Sequence, residues 1–249
     1  VSVRVGEAAR CDQDLIMSEI QQATVTAIRQ LTPHVKEIDI QPVGEALNFQ
    51  AGQWLSLRLP VGEKPPLNRA YSLALPPQPE GNLTLCFDRV EGGLGSGYLW
   101  EVVPGTVLEF TGPHGNFILP DVVEGNLLMV AHYTGIIPFR AMLRTLFPTE
   151  KQSPPDSKGY VVALIYSIPS AEEALYRDEL RFLAQTHHNF QLTEVSPGEE
   201  AEAITALAAH FSGFTPYVCG LRPFTKPIRE YLIEQFGLER RSVKLENFS

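Results

Sequence analysis

Cysteine is scarce: the chain holds three, Cys11, Cys86 and Cys219, widely separated. That excludes a disulfide framework and a zinc site built on clustered thiols. An iron–sulfur cluster needing four thiolates cannot be held within these residues either. Positive charge is also short. Twenty Lys and Arg stand against 29 Asp and Glu, a formal net charge of −9, which argues against a general nucleic-acid binder with its basic field. No run approaches the roughly 20 apolar residues that cross a bilayer, so no membrane span is expected. The opening Val1-Ser2-Val3-Arg4-Val5-Gly6-Glu7 lacks the basic head and apolar stretch of a secretory leader. A reducing cytoplasm is therefore the expected compartment. His187-His188 lacks the i, i+4 spacing of a helical metal pair and reads as a solvated doublet, and no metal site is expected.

The 249 residues, 44% hydrophobic and 20% charged, suffice for one large or two modest globular domains. The chain changes character near residue 119. Before it, Leu55, Leu57 and Leu59 alternate with Ser56 and Arg58, and Leu83, Leu85 and Phe87 alternate with Thr84, Cys86 and Asp88. Period two marks strands with one buried face, and several short strands predict a small antiparallel barrel or sandwich. After residue 119, the apolar run Leu127 to Ala131 reads as a strand buried on both faces. Phe139, Met142, Leu143 and Leu146 then fall on one helical face. Tyr160 to Tyr166 is a second buried strand. Ser170 and Glu173 form a capping box for a helix whose apolar face includes Tyr176, Leu180 and Leu183. Ile204, Leu207, Ala208 and Phe211 make a third helical face. Pro216 to Cys219 is a strand, Pro227 opens a last helix that Gly237 closes, and Ser242 to Glu246 is a terminal strand. Alternating units of this kind predict a parallel sheet covered by helices on both faces. The expected division is an N-terminal extension over 1–19, a barrel over 20–119, a linker over 120–125 and an α/β domain over 126–249. Residues 148–159 read as an exposed loop.

Five stretches carry candidate chemistry. Arg69-Ala70-Tyr71-Ser72 offers a phosphate-binding guanidinium beside an aromatic plane, with Arg69 and Tyr71 on one strand face and Ser72 on the other. Alone, a surface arginine next to a half-buried tyrosine is the better reading of this stretch. Gly92-Gly93-Leu94-Gly95-Ser96 precedes the short apolar helix of Tyr98-Leu99-Trp100, leaving backbone N–H groups open to an anion; a flexible hairpin loop is the alternative. In His132-Tyr133-Thr134-Gly135-Ile136-Ile137-Pro138, a buried strand runs into Thr134-Gly135 and then a proline in the first helical turn. This is where open α/β sheets bind nucleotides, or else a plain strand-to-helix connection. Val218-Cys219-Gly220 is a second strand end, and Glu246-Asn247-Phe248 stands at the terminus.

In order and spacing, these stretches resemble the ferredoxin–NADP reductase-like flavoproteins over residues 20 to 249. Phe49, Gly52 and Gln53 match the family's Phe-x-x-Gly-Gln stretch. Arg69-Ala70-Tyr71-Ser72 matches its Arg-x-Tyr-Ser flavin motif, and Gly93-Leu94-Gly95-Ser96 its Gly-x-x-Ser pyrophosphate loop. Gly112-Pro113-His114-Gly115-Asn116-Phe117 matches its Gly-Pro-x-Gly-x-Phe, and Tyr176-Arg177-Asp178-Glu179-Leu180 is similar to a stretch of its second domain. The resemblance implies an FAD-binding barrel, an NAD(P)-binding α/β domain, and NADH or NADPH as co-substrate. By the same resemblance, Tyr71 stacks on the isoalloxazine and Ser72 bonds near the flavin N5. Arg69 and the Gly93–Ser96 loop hold the pyrophosphate, Phe248 covers the other flavin face, Glu246 is the nearby carboxylate, and Cys219 lies beside the nicotinamide. It implies an electron carrier on another chain, such as a ferredoxin or an oxygenase component.

The departures cluster on the nicotinamide side. His132 and Tyr133 stand where the family carries small residues, and either obstruct the ligand's approach to the backbone or point elsewhere. Leu221 and Arg222 follow Gly220 where the family has prolines. Tyr166-Ser167-Ile168-Pro169-Ser170 lacks a basic residue for a 2′-phosphate, which leans towards NADH, with Arg177 and Arg222 as candidate substitutes. Three readings follow: an FAD-dependent NAD(P)H oxidoreductase, a flavin-binding electron-transfer subunit with an impaired nicotinamide site, and an interaction protein that keeps only the fold.

Overall fold

Period-two hydrophobicity in the first half produces strands with one face inward, and those strands close on themselves. The computed structural model describes residues 19–148, 159–211 and 213–248. Cys11, the extension up to residue 18 and residues 149–158 of the expected loop lie outside them. The first half contains β1 (Gln21–Gln30), β2 (Val35–Pro42), β3 (Trp54–Leu59), β4 (Leu67–Ser72), β5 (Leu83–Asp88), helix α1 (Leu94–Glu101) and β6 (Val107–His114). The order β4-β3-β6-β1-β2-β5 is antiparallel throughout, and the edges meet at a Leu73–Leu85 bridge, which closes the barrel. Leu55, Leu57 and Leu59 of β3 are fully buried and their neighbours are not. They share the barrel interior with Ile38, Ile40, Leu85 and Phe110.

The second half is a five-stranded sheet, parallel throughout, of order β11-β10-β7-β8-β9. Its strands are β7 (Asn126–His132), β8 (Val162–Ser167), β9 (Phe190–Val195), β10 (Phe214–Leu221) and β11 (Lys244–Phe248). Its helices are α2 (Ile136–Leu146), α3 (Arg177–Thr186), α4 (Glu200–Ala208) and α5 (Arg222–Phe236). β7 and β8 are buried runs with apolar clusters on both faces, as a helix-covered parallel sheet requires. One of those clusters joins Leu127, Met129 and Tyr166 to Val35, Ala51, Ala74, Cys86 and Phe117 of the barrel, so the two halves share a continuous apolar junction. Gly52 stands at this junction with φ +100°, and a Cβ there would lie 2.0 Å from the Phe117 carbonyl oxygen. No side chain fits, and Gln53 secures the same turn by donating to the Gly115 carbonyl at 3.2 Å.

Several element starts differ from the sequence expectation. Residues Ala171–Glu173 form one 3₁₀ turn, and α3 begins only at Arg177 after Tyr176 in the left-handed region, so Ser170 and Glu173 cap no α-helix. Phe211 falls beyond the end of α4. The last helix opens at Arg222 with Pro223 in its first turn, and Pro227 lies inside it. An early proline costs little because first-turn N–H groups lack intrahelical partners; Pro227 removes one bond, on an exposed face. Gly237 closes α5 at φ +64°, as expected. His187 is not a free surface group: its ring packs 4.8 Å from Phe147.

Candidate active site

The flavin-motif strand is exposed where a covered strand would be apolar. Asn68, Arg69 and Ala70 of β4 face solvent, whereas Ser72 is 5% exposed. Tyr71 is half-buried with its ring edge-on to Phe87 at 6.1 Å, and burial pushes its phenol up to about 12. Opposite this strand, the glycine loop turns into α1. Gly92 takes φ +69°, and Gly93 has no side chain with which to cap the helix, so the N–H groups of Leu94, Gly95 and Ser96 have no intrahelical partner. The buried Ser96 hydroxyl accepts from the Val90 N–H at 3.1 Å and fixes the loop. A Cβ on Gly95 would lie 3.1 Å from Arg69 Cγ. The structure thus brings the Arg69 side chain and the helix N-terminus together, two anion-attracting groups side by side.

The second cluster lies at the carboxyl ends of β7 and β10. From β7 the sheet grows one way through β8 and β9 and the other way through β10 and β11. The β7–β10 boundary is therefore the topological switch point, where such sheets leave a crevice. There a Cβ on Gly135 would lie 2.3 Å from the Cys219 carbonyl oxygen, so only glycine lets the chain start α2 so close to β10. Thr134 belongs to the 3₁₀ turn before α2, and Pro138 is buried in its first turn. Gly220 takes φ +153° beside Phe224 and His132. His132 and Tyr133 diverge. The His132 ring lies 5.0 Å from Phe224, and burial lowers its pKa. Tyr133, at φ +49°, turns towards the barrel, where Asp88, Cys86 and the Thr32 hydroxyl neighbour it; burial raises its phenol to about 12.

β11 places the terminal residues against β10, with Cys219 opposite Glu246 and Leu221 opposite Phe248. Cys219 has no exposed surface, and burial followed by the Glu246 charge pushes its thiol well above the usual range. Burial lifts the Glu246 carboxyl to about 7. Phe248 packs against the junction cluster that includes Ala74 and Cys219, while the ring neighbour of Tyr71 is Phe87 rather than Phe248. Of the two arginines that could meet a 2′-phosphate, Arg177 is already paired with Glu194 at 2.9 and 2.8 Å. Arg222 is exposed at the start of α5. Ser167, at the end of β8, donates to Glu200 at 2.5 Å.

Sequence reasoning missed one group. Glu37 is 3% exposed, on the outer face of β2 with Val35, while Ile38 and Ile40 face the barrel core. It accepts from Arg140 Nη1 of α2 at 2.8 Å, from Tyr176 Oη at 2.8 Å and from Arg29 Nε at 2.8 Å. Val35, Glu37 and Asp39 alternate with Lys36, Ile38 and Ile40, which signals one apolar face; the partners 103 and 139 residues away leave no local trace.

Two family models match the chain. The model of the oxidoreductase FAD-binding domain matches residues 22–118, and that of the oxidoreductase NAD-binding domain matches residues 129–230. Ferredoxin–NADP reductase B of Sorangium cellulosum is 31% identical over 94% of this chain and 100% of its own length. The reductase component DmpP of phenol 2-monooxygenase from a Pseudomonas species is 29% identical over 92% of this chain, and only 66% of that longer protein is matched. Among solved structures, ferredoxin-NADP+ reductase from Plasmodium falciparum has the same fold, with a TM-score of 0.77 at 19% identity over 91% of this chain and 95% of that one.

Proposed function

Because the chain belongs to the ferredoxin–NADP reductase family, we propose that it is an FAD-dependent NAD(P)H oxidoreductase passing electrons between a nicotinamide dinucleotide and a separate carrier, a ferredoxin or an oxygenase component. The observation that supports this reading is the closeness of Arg69 Cγ, 3.1 Å from where a Gly95 Cβ would stand, to a helix start with no side-chain cap, beside a half-buried tyrosine on an exposed strand. These residues fit an FAD. Arg69 and the N–H groups of the Gly92–Ser96 loop would hold its pyrophosphate, and Ala70, Tyr71 and Ser72 would line its ring. When bound, FAD supplies hydride acceptance from the nicotinamide and electron release to the carrier.

The remaining roles follow from position. Thr134, Gly135, Pro138 and Gly220 lie at the carboxyl ends of β7 and β10, at the switch point, and would receive the dinucleotide, with Phe248 and Cys219 beside it. Glu246, half-protonated near neutrality, can hold or release a proton at its carboxyl. The pairing of Arg177 with Glu194 and of Ser167 with Glu200 supports NADH as the donor. Residues 20–119 would form the flavin domain and 126–249 the nicotinamide domain, joined through 120–125. Among the described residues no helix is long and apolar enough to cross a membrane; the free thiols of Cys86 and Cys219 suit a reducing cytoplasm.

The test is steady-state reduction of ferricyanide by FAD-reconstituted protein with NADH or NADPH. Turnover that requires both FAD and a dinucleotide supports the proposal, with NADH giving the higher kcat/KM. Flavin retention without turnover from either dinucleotide favours the electron-transfer subunit, whose supporting observation is Tyr133 in a position its backbone favours for glycine.

A further inference from the structure

We infer that Glu37 is a positioning residue for electron transfer, holding the nicotinamide crevice at a fixed distance from the flavin strand through Arg140 and Tyr176. The inference rests on the proposed reaction, in which one hydride, two electrons with a proton, passes from the reduced nicotinamide to the flavin and leaves the oxidised dinucleotide. Transfer of this kind needs reacting atoms held at about 3–3.5 Å. Two domains meeting across a crevice meet that demand only if their relative position is fixed.

A continuous path of bonded contacts joins the two half-sites. On the barrel side, Leu73 directly follows Ser72 and bridges to Leu85 of β5. Cys86, the next residue, pairs in register with Glu37. From Glu37 the path crosses to Arg140, whose Nη1 donates at 2.8 Å while its Nε donates to Glu179 at 3.0 Å. Its guanidinium lies 4.0 Å from the centre of the Tyr176 ring. Arg140 stands five residues beyond Gly135, so a single stiff stretch of α2, about 7.5 Å long at 1.5 Å per residue, ends in the crevice. The Glu37 side chain points away from the barrel core; within the barrel it pairs with Arg29 of β1 at 2.8 Å, and its other two partners, Arg140 and Tyr176, come from the parallel-sheet half.

Backbone strain marks the same junction. Among the described residues, the non-glycine positions with positive φ are Tyr133 and Tyr176. Both reach the barrel, Tyr176 through its hydrogen bond to Glu37 and Tyr133 towards Thr32. A bulky residue persists in that region only when its surroundings over-determine it, and such strain concentrates at functional positions. The ion pair is also costly to desolvate, and fixing one geometry is the best-attested use of such a buried pair.

The experiment compares Glu37→Gln and Arg140→Lys with the unaltered full chain, each loaded with FAD. In stopped flow with NADH, the limiting rate of flavin reduction is expected to fall at least tenfold in Glu37→Gln. The dinucleotide Kd and FAD content should stay within twofold, and the isotope effect with 4-deuterated NADH should rise. Arg140→Lys, which keeps the charge but loses the fork, should fall between the two. Tyr176→Phe serves if Glu37→Gln does not fold, with a loss of about threefold expected. Unchanged limiting rates, or losses that merely track FAD content, overturn the inference. Hydrogen–deuterium exchange gives a readout without nicotinamide: faster exchange in both β2 and the first turn of α2 is expected in Glu37→Gln, and unchanged exchange overturns the clamp. Should the unaltered flavin resist both dinucleotides, the proposed reaction fails, and the exchange comparison still decides the clamp.

Discussion

Tyr176 donates its hydroxyl to Glu37 Oε2 at 2.8 Å, across 139 residues of sequence and across the boundary between barrel and parallel sheet. Burial, with Cys86 and Glu37 alongside, holds the phenol well above its ordinary pKa, so the group stays a donor at any physiological pH. Glu37 in turn depends on it, since a buried carboxylate that loses a partner keeps its desolvation cost.

Tyr176→Phe keeps the ring over Arg140 and removes only the donor. Stability should fall by about 1–3 kcal/mol. Urea unfolding checks this, with the midpoint moving and the m-value unchanged.

Two glycine substitutions should act in opposite directions. Gly97 lies within α1 with open space around its Cβ position, so Gly97→Ala should raise Tm by about 1–4 °C through lower unfolded-state entropy. Gly135→Ala would place a methyl 2.3 Å from a backbone oxygen and should cost about 1–3 kcal/mol. Differential scanning calorimetry on the pair separates space from backbone freedom.

Arg69→Ala should weaken FAD binding by about 10- to 150-fold, the equivalent of one charge-assisted hydrogen bond of roughly 1.5–3 kcal/mol. Arg241→Ala is the control, because Arg241 is 87% exposed and pairs with its near neighbour Glu239. Flavin-fluorescence titration measures both.

Glu246 makes stability depend on pH. Burial raises its carboxyl from 4.5 to about 7, so between those values the folded protein holds a proton that the unfolded chain has released. The contribution is therefore fully present below the lower value and is lost as pH rises through the upper one. The residue is partly exposed, and screening leaves about 1–2 kcal/mol of the effect. Glu246→Gln, neutral throughout, should flatten this slope, seen as a smaller fall in Tm between about pH 5 and pH 8.

Local signals carried much of this molecule. The alternation of Leu55, Leu57 and Leu59 predicted a buried strand face, and the run from Leu127 to Ala131 predicted a strand covered on both sides; both are present. Helix starts were less legible. Ser170 and Glu173 carry the capping pattern, yet tertiary contacts delay α3 until Tyr176 has reached Glu37. Pro227 looked like a first-turn residue because Pro223, the actual one, follows a strand end directly. At the site, Arg69, the Gly92–Ser96 loop and Gly135 stood out by the order of their motifs in the family resemblance, while the close approaches of Gly95 to Arg69 and of Gly135 to Cys219 form only in the folded chain. The Glu37–Arg140–Tyr176 group could not be read that way, since its three members come from distant segments and meet only in the folded chain.

Anaerobic titration of the FAD-saturated protein with NADH, and separately with NADPH, tests the central claim most directly. The expected result is loss of the yellow flavin absorbance with about one equivalent of dinucleotide per flavin, since each carries one hydride, and at lower concentration for NADH. A protein that binds no FAD, or one that stays yellow with excess of both dinucleotides, would contradict it.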